Sequence, residues 1–513
     1  MPLNDWLTHR ATTASSRAAL VADGRTWSYA ELDTDATRMA RQLAGLGVKN
    51  GDRVAMLLHN GGTAAVLTHA VLRLGATLVP LNVRLNEDEI TWQITDSGAC
   101  AIVAEGRTVA MTTRARKVHP NLLVVSIDTA GAEILGLATL GARDEYDVSL
   151  RLVHDPADVL AIIYTSGTTG RPKGAMLTVG NFWWSAIGSA LNIGTHADDR
   201  WLACMPLFHV GGLSILLRAA IYGITAIVQD GFDADAVNRA LDDECVTIVS
   251  VVAVMLQRML DARSDRPYPP SLRCVLLGGG PAPRPLLERC ALLRIPVSQT
   301  YGLTETTSQI ATLASDDALR KLGSAGRPLY PNEIRIMTSN GDAPPGEPGE
   351  IAVRGPVVMA GYAGQPEATA RAIVNGWFRT GDVGTLDAEG YLHVLDRRDD
   401  LIITGGENVY PAEVESALLA HPWVVEAGVV GVPDATWGQR LVAIVRLADR
   451  PGVDRDSAVT ELRAHCRAQL AGYKTPRDIR IVSEPLLRTA SGKLRRNLLR
   501  DRAASLVSTA DTM

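Results

Sequence analysis

Residues 165–174 read TSGTTGRPKG, a stretch that combines glycines, hydroxyl side chains and one lysine. Glycine lets the backbone approach a ligand closely, and backbone N–H groups, hydroxyls and an ammonium are donors that suit an anion such as a polyphosphate. A polar hairpin turn is the simpler interpretation, but the density of these residue types favours a binding loop. The candidate phosphate-binding residues are Thr165, Ser166, Gly167, Thr168, Thr169, Gly170 and Lys173.

This loop differs from the phosphate loop of common ATPases and kinases. That loop has the pattern G-x-x-x-x-G-K-[ST], in which the lysine directly follows the second glycine. Here Arg171 and Pro172 separate Gly170 from Lys173, and Gly174 stands where the pattern needs a hydroxyl residue. The stretch therefore predicts a phosphate site of another kind.

Four more short stretches with polar and ionisable residues follow the loop along the chain. They read YGLTET (301–306), WFRTGD (377–382), GGENVYPAEVE (405–415) and RTASGK (488–493). Together with the loop, and in this order, they resemble the motifs of the adenylate-forming superfamily of acyl-CoA synthetases, luciferases and adenylation domains. The resemblance covers nearly the whole chain, from about Trp27 to Arg496.

The resemblance implies a two-step reaction that uses ATP, Mg²⁺ and coenzyme A. A carboxylate attacks the α-phosphate of ATP and gives an acyl-adenylate and pyrophosphate, and a thiol then displaces AMP. The first step brings two anions together, so cations and hydrogen-bond donors must offset their repulsion. Since no carrier-protein segment follows the last motif, free coenzyme A is the expected thiol.

The family's functional positions transfer to matching residues of this chain. Lys493 would bridge the attacking carboxylate and the α-phosphate, and Thr304 would contact phosphate. Glu305 would bind Mg²⁺, a hard cation that prefers oxygen ligands. Asp382 would accept hydrogen bonds from both ribose hydroxyls, and Arg397 would contact ribose or phosphate. The other residues expected around the nucleotide are Gly278, Gly279, Gly280, Pro281, Tyr301 and Gly302.

Two further features belong to the thiol step and to the C-terminal motif. Gly405, Gly406 and Glu407 resemble the loop that lines the pantetheine tunnel, and Asp399 matches the hinge about which the small domain turns between the steps. Leu487 departs from the family pattern, which often has proline there, but Lys493 matches.

The acyl pocket of the family lies near the PLFH segment, the helix after it and the YGLTET turn. Arg218 lies on one helical face with Ser214 in this region. A buried cation needs an anionic partner, and the second carboxylate of a dicarboxylic acid would supply one. A salt bridge within the protein or an exposed helix face explains Arg218 equally well. The candidate acyl-site residues are His209, Ser214, Arg218, Gly279 and Ser308, of which His209 is also a candidate catalytic residue.

The stretches GGGPAP (278–283), TSQI (307–310) and KLGSAGRPL (321–329) resemble the menaquinone-pathway branch of the superfamily. The acid of that branch, o-succinylbenzoate, has an aromatic ring, a keto group and two carboxylates. Gly211 and Gly212 would leave room for the flat ring. The resemblance predicts this acid, and a medium-chain or aryl acid activated by the same chemistry is the alternative.

Alternating strand and helix patterns must position these residues. TAIVQDGF (225–232) has the apolar run of a buried strand, DADAVNRALDDEC (233–245) that of a helix beginning at an aspartate, and VTIVSVVAVML (246–256) that of a strand leading into a helix. The alternation predicts an α/β fold with largely parallel sheets. From about Glu333, short strands between Gly, Pro and Asp turns predict a β-barrel-like antiparallel subdomain, followed by a small α+β domain after Asp399.

Length and composition set the remaining expectations. A chain of 513 residues exceeds the size of one hydrophobic core, so we expect an adenylation domain over 1–397 and a mobile C-terminal domain over 398–513. A net charge of −5 argues against a nucleic-acid surface. The six cysteines include no C-x-x-C pair, which argues against zinc or a disulfide framework. Arg218 interrupts the apolar segment 207–228, so we expect no membrane span and a cytoplasmic enzyme. A homo-oligomer is left open.

Two alternative hypotheses place the protein in other functional classes and make different predictions. A P-loop ATPase or kinase would release ADP, whereas adenylation releases AMP and pyrophosphate. A non-catalytic relative would bind a nucleotide or scaffold a complex without reaction. The joint presence of Lys173, Glu305, Asp382 and Lys493 argues against that second reading.

Overall fold

The structure is a computed structural model, and it describes residues 1–128, 134–136, 149–165, 172–264, 266–279, 284–321, 323–338, 341–396, 402–409, 411–448, 454–487 and 496–508. Contacts between Cα atoms divide the chain into two compact units. The first unit comprises Met1–Val83, Gln93–Ile163 and Gly174–Asp396, and the second comprises Arg84–Trp92, Tyr164–Lys173 and Arg397–Met513. The expected domain boundary at 397/398 stays a prediction.

The strands of the described residues are numbered in chain order. They are β1 Leu3–Asn4, β2 Ala18–Ala22, β3 Arg25–Ser28, β4 Arg53–Leu57, β5 Thr77–Pro80, β6 Ala101–Ala104, β7 Leu123–Ser126, β8 Leu135–Gly136, β9 Val153–His154, β10 Val159–Thr165, β11 Lys173–Thr178, β12 Arg200–Ala203, β13 Thr225–Val228, β14 Ile248–Val252, β15 Cys274–Gly278, β16 Val297–Leu303, β17 Ser308–Thr312, β18 Arg327–Pro328, β19 Glu333–Thr338, β20 Gly341–Asp342, β21 Gly349–Arg354, β22 Gly361–Tyr362, β23 Ile373–Val374, β24 Trp377–Leu386, β25 Leu392–Asp396, β26 Ile402–Thr404, β27 Glu407–Val409, β28 Val424–Asp434, β29 Gly438–Leu447 and β30 Asp478–Val482.

The helices are numbered in the same way. They are α1 Trp6–Thr13, α2 Tyr29–Gly45, α3 Gly62–Leu74, α4 Glu87–Ser97, α5 Thr113–Val118, α6 Val179–Ile193, α7 Val210–Tyr222, α8 Ala234–Asp243, α9 Ala253–Arg263, α10 Arg284–Leu292, α11 Pro366–Ala372, α12 Pro411–Leu419, α13 Arg455–Gln469 and α14 Arg496–Ser508.

A nine-stranded sheet in the first unit carries most of the predicted site. Its order is β18-β17-β16-β15-β14-β12-β13-β2-β3, and the strands from β2 through β13, β12, β14 and β15 to β16 run parallel. The buried apolar runs of these strands are what a sheet covered on both faces requires. The carboxyl ends of β12, β14, β15 and β16 therefore meet at one edge, where ligands of such sheets bind.

The other large sheets also follow the predicted fold class. An eight-stranded sheet has the order β22-β11-β10-β5-β4-β6-β7-β8, with parallel pairs from β10 to β8. The predicted antiparallel region is a six-stranded sheet built on β20-β19-β21-β24-β23, with β25 paired to β24. In the second unit, the described strands β26 to β30 form a five-stranded sheet with α12, α13 and α14. The mixed α/β prediction is confirmed.

Helix α7 and strand β13 occupy the apolar segment that resembles a membrane span in the sequence. Side chains from the N-terminus hold the end of the helix: Tyr29 Oη donates to the carbonyl oxygen of Ala219 at 2.9 Å, and Arg10 Nε donates to that of Ala220 at 3.2 Å. Gly223 ends the helix in the left-handed region, at φ 77°. In the described part of the chain, no helix is long and apolar enough to cross a membrane.

A buried charged cluster joins the first three helices. Arg73 of α3 donates from Nη2 to Asp5 Oδ1 at 3.2 Å, and from Nη1 to the carbonyl oxygen of Asp33 at 2.8 Å. His69 lies one turn earlier on α3 and is buried beside this cluster. Burial lowers the pKa of His69 to about 4, although the nearby Asp5 carboxylate opposes the effect. His69 is therefore neutral in the folded protein at neutral pH.

This histidine predicts a loss of stability in mild acid. Its pKa is about 6.5 in the unfolded chain, so between pH 6.5 and pH 4 the unfolded state binds a proton that the folded state does not. The contribution of His69 is thus complete above pH 6.5, and about 3 kcal/mol of unfolding free energy is lost as pH falls to 4. Urea unfolding at pH 7.0 and 4.5 measures the loss. His69→Gln should remove most of the difference, while His9→Gln, at an exposed position of α1, should keep it.

Candidate active site

The hairpin between β16 and β17 carries the YGLTET motif, and its geometry explains the glycine of that motif. Gly302 lies at a register shift between the two strands, where an added Cβ would stand 1.5 Å from the carbonyl oxygen of Ser308. Thr304–Thr306 form one 3-10 turn. Thr307 and Ser308 follow with φ of 51° and 85°, a region that residues other than glycine seldom adopt. The chain thus presents Glu305 at the carboxyl edge of the sheet.

Glu305 is the predicted metal ligand, and the protein fixes one of its carboxylate oxygens. The side chain is 8% exposed. Tyr362 Oη donates to Glu305 Oε1 at 2.9 Å, and the amide of Met359 donates to the Glu305 carbonyl oxygen at 2.9 Å. Among the described residues no cluster of three His, Cys, Asp or Glu side chains could hold a metal. A Mg²⁺ ion here would therefore take oxygen ligands from the nucleotide as well, as Mg²⁺ does in phosphate sites.

Asp382, the predicted ribose partner, lies beside the same motif. Tyr301 Oη donates to Asp382 Oδ2 at 2.7 Å, and the Asp382 amide donates to Thr380 Oγ1 at 3.0 Å. Gly381 makes this turn possible with a φ of 76°. The structure therefore brings Tyr301, Glu305 and Asp382 into one region of the first unit, with strand β16 leading into the turn that carries Glu305.

Helix α7 and the residue immediately before it carry three of the predicted acyl-site residues. His209 is the residue immediately before the helix, and its ring lies 4.6 Å from that of Phe208. Ser214 and Arg218 follow one turn apart and are both buried. The same face of α7 thus holds a hydroxyl and a guanidinium inside the first unit, which confirms that Arg218 does not lie on an exposed helix face.

Arg218 has no acidic partner among the residues that the structure describes. Its side chain is 2% exposed. Arg218 Nη2 donates to Ser185 Oγ at 3.0 Å, and the guanidinium lies 5.7 Å from the centre of the Trp201 ring. In the part of the chain that the structure describes, Arg218 Nε and Ser214 Oγ make no hydrogen bond. Burial lowers the pKa of Arg218 below its usual value, yet an arginine stays protonated in proteins. Among the described residues this buried cation therefore has no counter-ion, which favours an anionic ligand.

Among the glycines near the acyl site, Gly211 and Gly212 are expected to leave room for the aromatic ring of the substrate, but the structure gives Gly212 another role. A Cβ on Gly212 would lie 2.3 Å from the carbonyl oxygen of Pro206, so backbone already fills the space that the sequence interpretation gave to an aromatic ring. That interpretation is wrong for Gly212. At Gly211 the flexible tip of Met205 is the one atom of the described residues that would come within 4 Å of an added Cβ, at 2.9 Å. Gly279 has a φ of 80° and would place a Cβ 2.7 Å from Val252 Cγ1, so it is a conformational glycine at the end of β15.

The described ends of the phosphate loop belong to the second unit. Thr165 ends β10 and Lys173 begins β11, which are neighbours in the eight-stranded sheet. Thr165 Oγ1 donates to the carbonyl oxygen of Lys173 at 3.4 Å. A Walker loop leads from a strand into a helix, whereas this loop leads from one strand into another. The structure therefore excludes the Walker architecture on grounds independent of the spacing.

The predicted coenzyme A loop is a two-residue hairpin between β26 and β27. Gly405 and Gly406 both have positive φ, at 58° and 82°, as a type I′ turn requires. The amide of Gly405 donates to the carbonyl oxygen of Trp437 at 2.9 Å. Glu407 is buried, and within the second unit Arg84 Nη1 donates to Glu407 Oε1 at 2.8 Å.

The remaining predicted site residues lie outside the described residues. They are Ser166, Gly167, Thr168, Thr169, Gly170, Gly280, Pro281, Arg397, Asp399 and Lys493. Conversely, the sequence interpretation did not identify Tyr362, which orients Glu305, or Ser185, which contacts Arg218. Neither residue belongs to a short motif, so only the three-dimensional contacts reveal them.

Comparison with known proteins gives matches over nearly the whole chain. The family described as AMP-binding enzyme matches residues 7–363, and its C-terminal domain matches residues 413–493. The chain is 50% identical over 496 residues to the 2-succinylbenzoate–CoA ligase of Geobacillus kaustophilus (strain HTA426), with 97% of each chain covered.

Two solved structures of o-succinylbenzoate CoA synthetase (MenE) from Bacillus subtilis are each 40% identical to this chain and cover 98% of it and 99% of their own chains. A double mutant of that enzyme bound with its product analogue OSB-NCoA has a TM-score of 0.89. The complex with the acyl-adenylate intermediate OSB-AMP has a TM-score of 0.73.

Proposed function

Because this chain belongs to the AMP-binding enzyme family, we propose that it ligates o-succinylbenzoate to coenzyme A through an acyl-adenylate, a reaction of menaquinone biosynthesis. The chain is an acid–thiol ligase of the acyl-CoA synthetase type, and ATP, Mg²⁺ and coenzyme A are the reactants and cofactor that this chemistry needs. The name of the Geobacillus relative and the ligands of the Bacillus structures support this acid.

The buried cation of Arg218 has no acidic partner among the described residues, and this observation carries the substrate assignment. Activation converts one carboxylate of the acid into the acyl-adenylate. A monocarboxylic substrate would therefore leave the buried guanidinium without an anion. A dicarboxylic acid such as o-succinylbenzoate brings a second carboxylate, which can take two hydrogen bonds from an arginine fork. The Ser214 hydroxyl lies one turn away on α7, makes no hydrogen bond within the described residues, and is a second polar group for this acid.

In the first step, residues from several motifs would together promote the transfer of the adenylyl group from ATP to the acid. An oxygen of the acid forms a bond to the α-phosphorus as the bond to the pyrophosphate oxygen breaks. Residues 165–173 would hold the departing phosphates and Asp382 the ribose, with Thr304 near the phosphates. Glu305 would hold Mg²⁺, which neutralises phosphate charge when bound. Lys493 would contact both the carboxylate and the α-phosphate, where negative charge accumulates.

In the second step, the sulfur of coenzyme A attacks the acyl carbon, the carbon–oxygen bond to AMP breaks, and the thiol proton is released. The Gly405–Gly406 turn with Glu407 would line the path of the thiol. Asp399 would be the hinge, so that Lys493 leaves the site once adenylation is complete. The two chemical steps then share one acyl pocket, and Arg218 would keep the acid in place through both.

Product analysis tests the reaction class. Incubation with ATP, Mg²⁺, coenzyme A and o-succinylbenzoate should yield AMP, pyrophosphate and the thioester in equal amounts. Formation of ADP and phosphate would identify a phosphotransferase or ATPase and contradict the proposal.

We also propose that the enzyme works in the cytoplasm on small molecules, without nucleic acid. The oligomeric state is left open, and light scattering of the purified protein measures it.

A further inference from the structure

Ser185 links two functional parts of the first unit through a single oxygen atom. It lies in the middle of α6 and is 3% exposed. Its hydroxyl donates to the carbonyl oxygen of Thr307 at 2.6 Å and accepts from Arg218 Nη2 at 3.0 Å. Thr307 directly follows the turn that carries Thr304 and Glu305.

The direction of both hydrogen bonds is fixed by the groups involved. A guanidinium can only donate and a backbone carbonyl can only accept, so the one hydroxyl proton of Ser185 must point to Thr307 and a lone pair must face Arg218. The rotamers of Ser185 and Arg218 are thereby coupled. Arg218 makes no other hydrogen bond within the described residues, so Ser185 is the polar group that sets the position of the guanidinium.

The Thr307 end of this link is a conformation that needs support. Thr307 and its neighbour Ser308 both have positive φ without being glycine, which costs free energy unless surrounding contacts hold them. Thr307 Oγ1 donates to the carbonyl oxygen of Val357 at 2.8 Å, and Ser185 Oγ donates to the carbonyl oxygen of Thr307. These two hydrogen bonds hold the bend directly after the turn with Glu305.

We propose that Ser185 is a positioning residue for acid selectivity: it aims the guanidinium of Arg218 at the second carboxylate of the substrate and ties that guanidinium to the Glu305 turn. The inference rests on the proposed function, in which Arg218 receives that carboxylate. Loss of the hydroxyl leaves Arg218 free to rotate and so weakens the recognition of dicarboxylic acids selectively.

The test compares Ser185→Ala with the wild-type enzyme on three acids in ATP–pyrophosphate exchange. These acids are o-succinylbenzoate and two analogues that each lack one carboxylate, 4-oxo-4-phenylbutanoate and 2-butanoylbenzoate. We expect KM for o-succinylbenzoate to rise about tenfold, the usual effect of losing a hydrogen bond to a charged group. The kcat/KM of whichever analogue is activated should stay nearly constant, so the ratio of the two kcat/KM values falls about tenfold.

Two further variants separate positioning from a merely structural role. Ser185→Thr keeps the hydroxyl and should retain most of the selectivity. Ser189→Ala makes the same chemical change one turn further along α6, at a buried serine whose hydroxyl bonds neither Arg218 nor Thr307 in the described structure, and should leave the ratio unchanged. Melting temperatures of all variants confirm that each is folded.

The outcomes distinguish this inference from the proposed function. If Ser185→Ala keeps the wild-type ratio while Arg218→Met loses it, the inference is overturned and the function stands. If Ser185→Ala lowers kcat/KM for every acid equally, Ser185 is only structural and the inference again fails. If neither variant changes the ratio, Arg218 does not receive the second carboxylate, and the substrate argument fails with it.

Discussion

Replacement of Lys493 by alanine is expected to lower acid-dependent ATP–pyrophosphate exchange about 1000-fold, the loss seen when a preorganised transition-state contact is removed. The reason is electrostatic, because adenylation joins an anionic carboxylate to an anionic phosphate and Lys493 would be the cation that touches both. Coenzyme A transfer from supplied acyl-adenylate should stay within about threefold of wild type, since that step does not use the contact. Stopped assays of each half-reaction measure the two rates separately.

A neighbouring charge provides the control for this prediction. Arg495 lies in the same basic stretch, and Arg495→Ala changes the local net charge by the same amount. It should reduce exchange only weakly, because it is not aligned with the family lysine. Equal loss of both half-reactions in Lys493→Ala would contradict the assigned role, and so would an Arg495→Ala variant as inactive as Lys493→Ala.

Arg218→Met is expected to lower kcat/KM for o-succinylbenzoate at least about 100-fold, because truncating one partner of a buried charge pair costs roughly 2–5 kcal/mol of binding. The same change should raise the unfolding free energy of the substrate-free protein by about 1–4 kcal/mol, since an apolar side chain of similar length replaces a buried cation that has no acidic partner among the described residues. Steady-state kinetics and urea unfolding measure the two effects. A variant that loses activity but gains stability identifies a residue that binds the substrate rather than one that supports the fold.

The alternative hypothesis is that Arg218 forms a salt bridge within the protein, and it predicts that Arg218→Met lowers the unfolding free energy. Breaking such a bridge would destabilise the protein by leaving an unpaired carboxylate. Arg218→Lys serves as the matched control because it keeps the charge but loses the planar fork, and intermediate activity is expected. A destabilised Arg218→Met enzyme with normal kinetics on o-succinylbenzoate would contradict the assignment.

Local patterns predicted the elements of this fold well. The apolar run before residue 253 forms strand β14 and leads into α9, and Asp233 begins α8 by accepting from the Ala236 amide at 2.8 Å. Such features depend on neighbours in sequence, where propensity and capping chemistry decide. The predicted antiparallel character after Glu333 is confirmed for the same reason: short strands between Gly and Pro turns have few alternatives.

Contacts between distant residues could not be predicted in this way. Tyr362 orients Glu305 from a separate strand, and Ser185 meets Arg218 from a separate helix. Tyrosine and serine occur in many roles, so neither residue type nor spacing indicates these pairs. Helix α3 gives a similar lesson, because His69 and Arg73 have the composition of an exposed face yet both are buried in a charged cluster. Burial of a charge depends on a partner from elsewhere in the chain.

Glycine was the residue type most open to misinterpretation. The sequence suggests that Gly212 leaves space for a ligand ring, but the carbonyl of Pro206 occupies that space. Gly302 shows the same principle, since the backbone of Ser308 excludes any side chain there. A glycine in a motif therefore indicates a close approach, and only the structure tells whether the approaching group is a ligand or the chain itself.

The central claim is that this enzyme adenylates a dicarboxylic aryl keto acid. The most direct test is acid-dependent ATP–pyrophosphate exchange by the wild-type protein with o-succinylbenzoate, benzoate and octanoate at equal concentrations. We predict a kcat/KM for o-succinylbenzoate that exceeds the other two at least about 100-fold, because a site with buried polar groups rejects acids that leave them unpaired. Efficient exchange with octanoate or benzoate and none with o-succinylbenzoate would contradict the claim.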